Sequence, residues 1–193
     1  MAAAIYSTTT QEGIDINNVF LLNVAQYPEY PAPPFLPGEL AWGTDGSEFV
    51  YCTASVTLAA GSVVVVSAVP GSWSVAAIGG STIAAASAPV GQLVGVVSGA
   101  NGSLAVPAPS GSQTGSYFWL QRAGNTQGIK SAASTTKNAQ LYSSATTLGI
   151  VSTTAGGAGT TYQINGIVIT QATGSVAGPN TAVLNYPVVG SSA

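Results

Sequence analysis

The chain has 193 residues, enough for one domain with a real core; 46% of them are hydrophobic and only 5% are charged. It has no histidine and one cysteine, which removes the commonest general base, the Ser-His triad, cysteine-held zinc and any intrachain disulfide. The only bases, Arg122, Lys130 and Lys137, are too few to track a phosphate backbone, so nucleic acid is not expected as a partner.

The first ten residues, "MAAAIYSTTT", have no basic start and no long apolar run, so export by the ordinary signal route is not expected. "QEGIDINNVFLLNV" is compatible with a short strand or a helical turn, and both stay open. "QYPEYPAPPFLPGEL" follows, with five prolines from Pro28 to Pro37. Proline fixes φ and pushes its predecessor into extended geometry, so this piece reads as a stiff, polyproline-like arm. Tyr27, Tyr30, Phe35 and Leu36 ride on it. A solvated linker rarely carries so many large apolar groups, so the arm is expected to dock on a surface, and these four are the candidate partner-binding residues. The organisation expected is an extended arm over residues 1–41 and a β domain over 42–193.

"GTDGSE" reads as an Asp-Gly turn entering a strand. From Phe49 the pattern has period two: Val50, Cys52, Ala54 and Val56 on one side, Tyr51, Thr53 and Ser55 on the other, as in a half-buried strand. Cys52 falls on the apolar side and is expected to be a buried structural thiol. "SVVVVSAV" is β-branched on both faces and reads as a strand covered on both sides. "LAAG" and "VPGS" are its turns. No charge occurs between Glu48 and Arg122, yet Gly61, Pro70, Gly71 and many Ser and Thr residues break the stretch, and its period is wrong for a spanning helix. The mean hydropathy of +0.40 comes from Ala, Val and missing charge, not from a membrane span.

Next come "SWSVAAI", a Gly79-Gly80 turn, "STIAAASA", "GQLVGVVS", an Asn101-Gly102 hairpin signal, "SLAVPAP" and the loop "SGSQTGS". In "YFWLQRA", Tyr117, Trp119 and Gln121 face opposite Phe118, Leu120 and Arg122. "AQLYSS", "LGIVST", "TYQINGIVITQA" and "AVLNYPVV" complete the set. Many short strands without a convincing amphipathic helix predict an all-β fold: an antiparallel β-sandwich or barrel with an extended Pro-rich N-terminal arm.

The charges are sorted along the chain. All six acids precede residue 49, while the three bases lie between 122 and 137, so the amino-terminal part is expected to meet the basic segment, in the same subunit or a neighbour. Asp45 and Glu48 are the only close carboxylates near the β region. A turn explains them better than glycosidase chemistry, and the loop lacks the further acids that calcium needs. No catalytic residue, metal site or cofactor is expected.

"GSEFVYCTASVTLAAGSVVVV", "GQLVGVVS", "GSYFWLQRAG", "AQLYSSAT" and "INGIVITQA…AVLNYPVV" together resemble the capsid decoration (cement) proteins and related small head proteins of tailed bacteriophages. The resemblance runs from about Trp42 to Val189 in the expected order. It departs at Ser62, where an acid is usual, and at "QRAG", which replaces a Gln-x-Arg-Gly type segment. It implies a non-enzymatic protein on the outer surface of a virion capsid, made in the host cytoplasm. Its implied partner is the major capsid protein, whose subunit joints it reinforces, and a homo-oligomer, with a trimer favoured, fits capsid symmetry. A receptor- or glycan-binding module of a tail or fibre is the alternative, with Trp42, Trp73 and Trp119 as candidate exposed aromatics, although core packing is the expected role of each. An ice-binding surface would need regular Thr-x-Thr ranks, which "GTTY" and "ASTTK" do not supply.

Overall fold

Alternation of β-branched and small residues along the chain produces strands, and the computed structural model pairs them into rings. It describes residues 5–7, 14–26, 28, 32–43, 45–69, 72–80, 90–98, 103–157 and 160–192. The expected strand "STIAAASA" and the Asn101-Gly102 hairpin lie outside these residues, as do Tyr27 and Tyr30.

The strands are β1 (Ile5–Ser7), β2 (Phe20–Leu22), β3 (Leu40–Gly43), β4 (Glu48–Ala54), β5 (Val63–Val69) and β6 (Ser72–Ala77). They continue as β7 (Val94–Val96), β8 (Gly115–Ser131), β9 (Leu141–Ser143), β10 (Val151–Ser152), β11 (Tyr162–Ile169) and β12 (Gly178–Ser192). Pairing runs β4-β6-β5-β7-β8 and returns from β8 to β4, closing a five-stranded barrel. A second circuit runs β8-β10-β9-β11-β12 and returns from β12 to β8. The 17-residue β8 belongs to both.

The fold is all-β, as expected, but not wholly antiparallel. A ring of alternating up and down strands cannot close with an odd number, so each five-membered circuit must contain a parallel pair. The first has β4 beside β6, and the second has β10 beside β8. Every other neighbour in either circuit is antiparallel.

The period of two divides the core. On β5, Val64 and Val66 join the interior of the first barrel with Val50, Cys52, Ala54, Phe118 and Leu120. Val63 and Val65 point the other way, into a cluster with Ile129, Leu141, Val151, Ile164, Ile169 and Leu184 of the second circuit. From Val63 to Val66 β5 is thus covered on both faces, as its β-branched run predicts, whereas Ser67, Ala68 and Val69 run out of the core and are exposed. β4 departs from its expected half-buried state: Phe49 and Tyr51, opposite Val50 and Cys52, are also buried. The reason is the amino-terminal segment, whose Ile14, Ile16 and Ala41 pack on Phe49, Tyr51 and Trp119. The strand ends at Ala54, leaving Val56 exposed. Within residues 1–41, β1 pairs with β3 and β2 with β8, so the described parts of this segment are continuous with the sheet.

The circuits meet at Ala123, which is paired on one side with Glu48 and on the other with Asn185. A register shift between Glu48 and Phe49 leaves Arg122 as the extra residue of a β-bulge in β8. Gly124 follows with φ +89, and a Cβ there would lie 2.7 Å from the Cα of Ser47, so both conformation and space require glycine. The buried Gln121 holds the bulge. Its amide donates to the carbonyls of Ala123 (3.2 Å) and Asn125 (2.8 Å), and its Oε1 accepts from the Ser98 hydroxyl (2.6 Å). Replacing Gln121 by Leu keeps the volume but strands these buried partners, each of which costs about 1–3 kcal/mol to leave unmade. The expected outcome of Gln121→Leu is a loss of about 2–4 kcal/mol in urea unfolding; a change below about 0.5 kcal/mol would show that the clamp carries no weight.

Candidate interaction surfaces

Of the four arm residues predicted to bind a partner, the structure places two. Phe35 docks within the chain: its ring meets Tyr51 at 5.3 Å and Trp119 at 5.1 Å, both edge-on. Such pairs add ~0.5–1.5 kcal/mol beyond area burial. Leu36 points outward and is 74% exposed. The next residues continue along β4: Gly38 donates its N–H to the Tyr51 carbonyl and Tyr51 donates to that of Glu39, each at 2.8 Å.

The two β-region carboxylates are engaged separately. Asp45 accepts from the Ser47 hydroxyl at 2.5 Å and from its backbone N–H at 3.0 Å, making the expected turn with Gly46 at φ +80. Burial works against the charged form of Asp45, but the Ser47 hydroxyl and backbone N–H outweigh it and hold its carboxyl below the usual range. Glu48, 7% exposed, accepts a 2.9 Å hydrogen bond from the Tyr186 hydroxyl. The Arg122 guanidinium stacks over the same ring, 5.6 Å from its centroid. The acidic and basic segments therefore meet here, through a shared tyrosine. Cys52 is fully buried, and burial pushes its thiol far above the usual range, so it is the inert thiol expected. Among the described residues no group of three or more potential metal ligands forms.

Tyr186 escaped the sequence reading. It lies at φ +46, which a bulky residue rarely adopts. Across from it the ladder jumps from Asn165↔Val188 to Ile167↔Leu184, so Asn185, Tyr186 and Pro187 together oppose Gly166. "NGI" facing "NYP" was the available signal, because glycine and proline inside strand patterns mark bulges.

The outward face of the second circuit presents uncharged residues where β11, β12 and β8 lie side by side. Val168 and Val183 are cross-strand partners and both are exposed, at 45% and 38%. Beside them Thr170 and Thr181 share a 2.6 Å hydroxyl–hydroxyl hydrogen bond, and Asn125 lies across from Val183. Of the three tryptophans, Trp119 is buried and Trp73 packs against the first barrel, as expected. Trp42 is 37% exposed at the sheet margin, contrary to a core role, because only the short β1 lies beyond it.

A cleft of about 270 Å³ opens where Pro34 and Phe35 meet the 14–20 stretch over Tyr51 and Trp119. From residue 14 on, the stretch the sequence left undecided resolves into a turn at Asp15–Asn18, closed by a backbone hydrogen bond of 3.2 Å, and then β2.

Comparison with family models, with curated proteins and with solved structures gives no match.

The hydrogen bond to Glu48, and then that carboxylate's charge, push the ionisation of Tyr186 above its ordinary 10.0, with Arg122 pulling the other way. A group whose folded pKa is raised contributes stability fully below its unfolded pKa and loses it as pH rises through the folded value. Melting temperature should therefore fall above about pH 10 by more in the native protein than in Tyr186→Phe. Parallel melting curves for the two proteins between pH 8 and 11.5 would remove this role from Tyr186.

Proposed function

We propose that the protein is a non-enzymatic virion component that binds the exterior of a bacteriophage capsid and reinforces contacts between coat subunits. The observation that carries this reading is the uncharged outer face around Val168 and Val183. Interface cores are depleted of charge, while an isolated domain usually relies on surface charge for solubility. A face of paired valines, threonines and asparagine matches the first condition and lacks the second. The resemblance of the ordered strand motifs to decoration proteins supplies the identity of the partner, the major capsid protein.

In this reading the chain works as a rigid clip. Two circuits sharing one strand hold the Val168–Val183 face and the exposed Leu36 in fixed relation. Several such contacts per oligomer, a trimer by preference, add to a tight attachment although each is modest. No catalytic step is assigned, since the two nearby carboxylates serve Ser47 and Tyr186.

Apolar burial contributes ~25 cal/mol per Å², whereas exposed ion pairs contribute ~0–1 kcal/mol and weaken with salt. Attachment to the particle should survive molar sodium chloride and fail in urea concentrations that leave the circular dichroism unchanged. The double variant Val168→Asp/Val183→Asp should keep its fold and lose retention on particles on the order of tenfold or more, about 1.4 kcal/mol per factor of ten. Co-sedimentation with particles reads all three. Release at moderate salt, or full retention of the double variant, would remove this face from the contact, and labelling found only on tails would replace the capsid reading by the tail-module one.

A further inference from the structure

Arg122 is a charge that the fold holds in place without giving it an acceptor. It is the extra residue of the β8 bulge, and its guanidinium lies 5.6 Å from the centroid of the half-exposed Tyr186 ring. Of its three guanidinium nitrogens only Nε is both buried and unpaired. The two terminal ones likewise have no hydrogen-bond or ion-pair partner among the described residues, and so lie open to solvent. Glu48, the carboxylate of the same cluster, instead accepts from the Tyr186 hydroxyl at 2.9 Å. A solvated arginine ordinarily swings on a flexible stem. This one is restrained by the bulge and the ring, so its donor fork is set before anything binds it.

The surroundings select what meets it. β11 and β12 carry no charged residue, and β8 carries only Arg122 and Lys130. Lys130 pairs with Pro179, toward the opposite end of the β8–β12 ladder from Ala123↔Asn185. Val183, Asn185 and Tyr186 are all exposed along β12, so the ring under the guanidinium stands three residues, or roughly 10 Å, from the valine pair. That distance falls inside one standard interface of ~800 Å² per partner. A single guanidinium in an uncharged face suits one planar, singly charged group, since two terminal nitrogens match the two oxygens of a carboxylate. A phosphate polymer would need a track of bases that this face lacks. A cationic or purely apolar counterpart would leave the fork covered and unpaired, which is strongly unfavourable.

We propose that Arg122, steadied by Tyr186, is the specificity-determining contact of this face and takes a carboxylate of the coat subunit that meets the Val168–Val183 patch. The inference rests on the capsid reading and deepens it by naming the charged counterpart. Enclosed by apolar contact, such a pair is screened much less than an exposed one, which suits attachment that survives high salt. Truncating one partner of an enclosed pair strands the other, so one arginine can dominate an interface of many neutral contacts.

The test is co-sedimentation of the full chain with native particles and with particles whose surface carboxylates have been amidated. On native particles Arg122→Gln should be retained at least tenfold less than the unaltered chain, with an unchanged circular dichroism spectrum. Arg122→Lys keeps the charge but not the fork. It should bind at least threefold less, and it carries the comparison if the glutamine variant misfolds. Amidation should reduce the unaltered chain to the level of Arg122→Gln and leave that variant's own retention unchanged. Two results would overturn the assignment and leave the capsid reading standing. One is folded Arg122→Gln held as tightly as the unaltered chain on particles that release Val168→Asp/Val183→Asp; the other is equal losses for chain and variant on amidation. An unaltered chain that does not bind particles at all would remove the capsid reading, and this assignment with it.

Discussion

Everything in this molecule depends on β8 having hydrogen-bonding partners on both edges. Along one stretch it pairs β4 on one side and β2 and β7 on the other; beyond Ala123 it pairs β12 and β10. A strand in that position is partnered on one edge along nearly its whole length and on both edges in places, and many of its side chains enter packed clusters. Most of its residues are accordingly buried, and its two charges, Arg122 and Lys130, fall where burial is only partial. Closure also removes the exposed edges that would otherwise invite strand-by-strand association. Parity then fixes the connections, since five strands cannot alternate around a ring.

The same constraint explains where the backbone departs from regular geometry. One strand serving two circuits must change partners, and the change is absorbed by paired irregularities: the Arg122 bulge with Gly124 in β8, and the Asn185–Pro187 bulge in β12. These bulges are tied together by the Glu48–Tyr186–Arg122 cluster. Local backbone strain at Tyr186 persists because the hydrogen bond and the ring stack hold it. Two of the chain's nine charges, Glu48 and Arg122, thus meet at the seam through Tyr186, while Asp15, Asp45 and Lys137 stay exposed.

The sequence made the strands legible because period two and β-branching are local signals. It showed that the valine run of β5 would be covered twice, that Cys52 would be buried, and that Tyr117 and Trp119 face away from Phe118 and Leu120. It did not show what would lie over Tyr51. That covering comes from Ile14, Ile16 and Phe35, many residues away, and from a stretch with no clear period. A barrel was one of the two expected architectures, but which strands would close it was illegible for a related reason: the closing contacts, Val96↔Gln121 and Val151↔Ser131, are single residue pairs that leave no pattern in either strand. The parallel pairings followed from closure and so were missed with it. Gln121 gave half a signal, a polar residue in an apolar strand, without revealing that Ser98 and two carbonyls would satisfy it.

Low charge, closed rings and a docked arm are linked by one argument about surfaces. Closing the rings satisfies the backbone of the ring strands, leaving β1 and β2 as the strands with a partner on one edge only. Association through the rings themselves must then use side chains, and on the outer face of β11 and β12 those are valine, threonine and asparagine. Such a face discriminates by shape more than by charge, because it offers few fixed electrostatic partners. The arm has the opposite character: Phe35 is consumed in covering Tyr51 and Trp119, and only Leu36 remains outward among the described apolar residues predicted to bind. Its principal effect within the chain is to convert an aromatic sheet face into a walled cleft. Among the described residues the arm thus serves first to cover Tyr51 and Trp119, while the paired valines of β11 and β12 stay open to solvent.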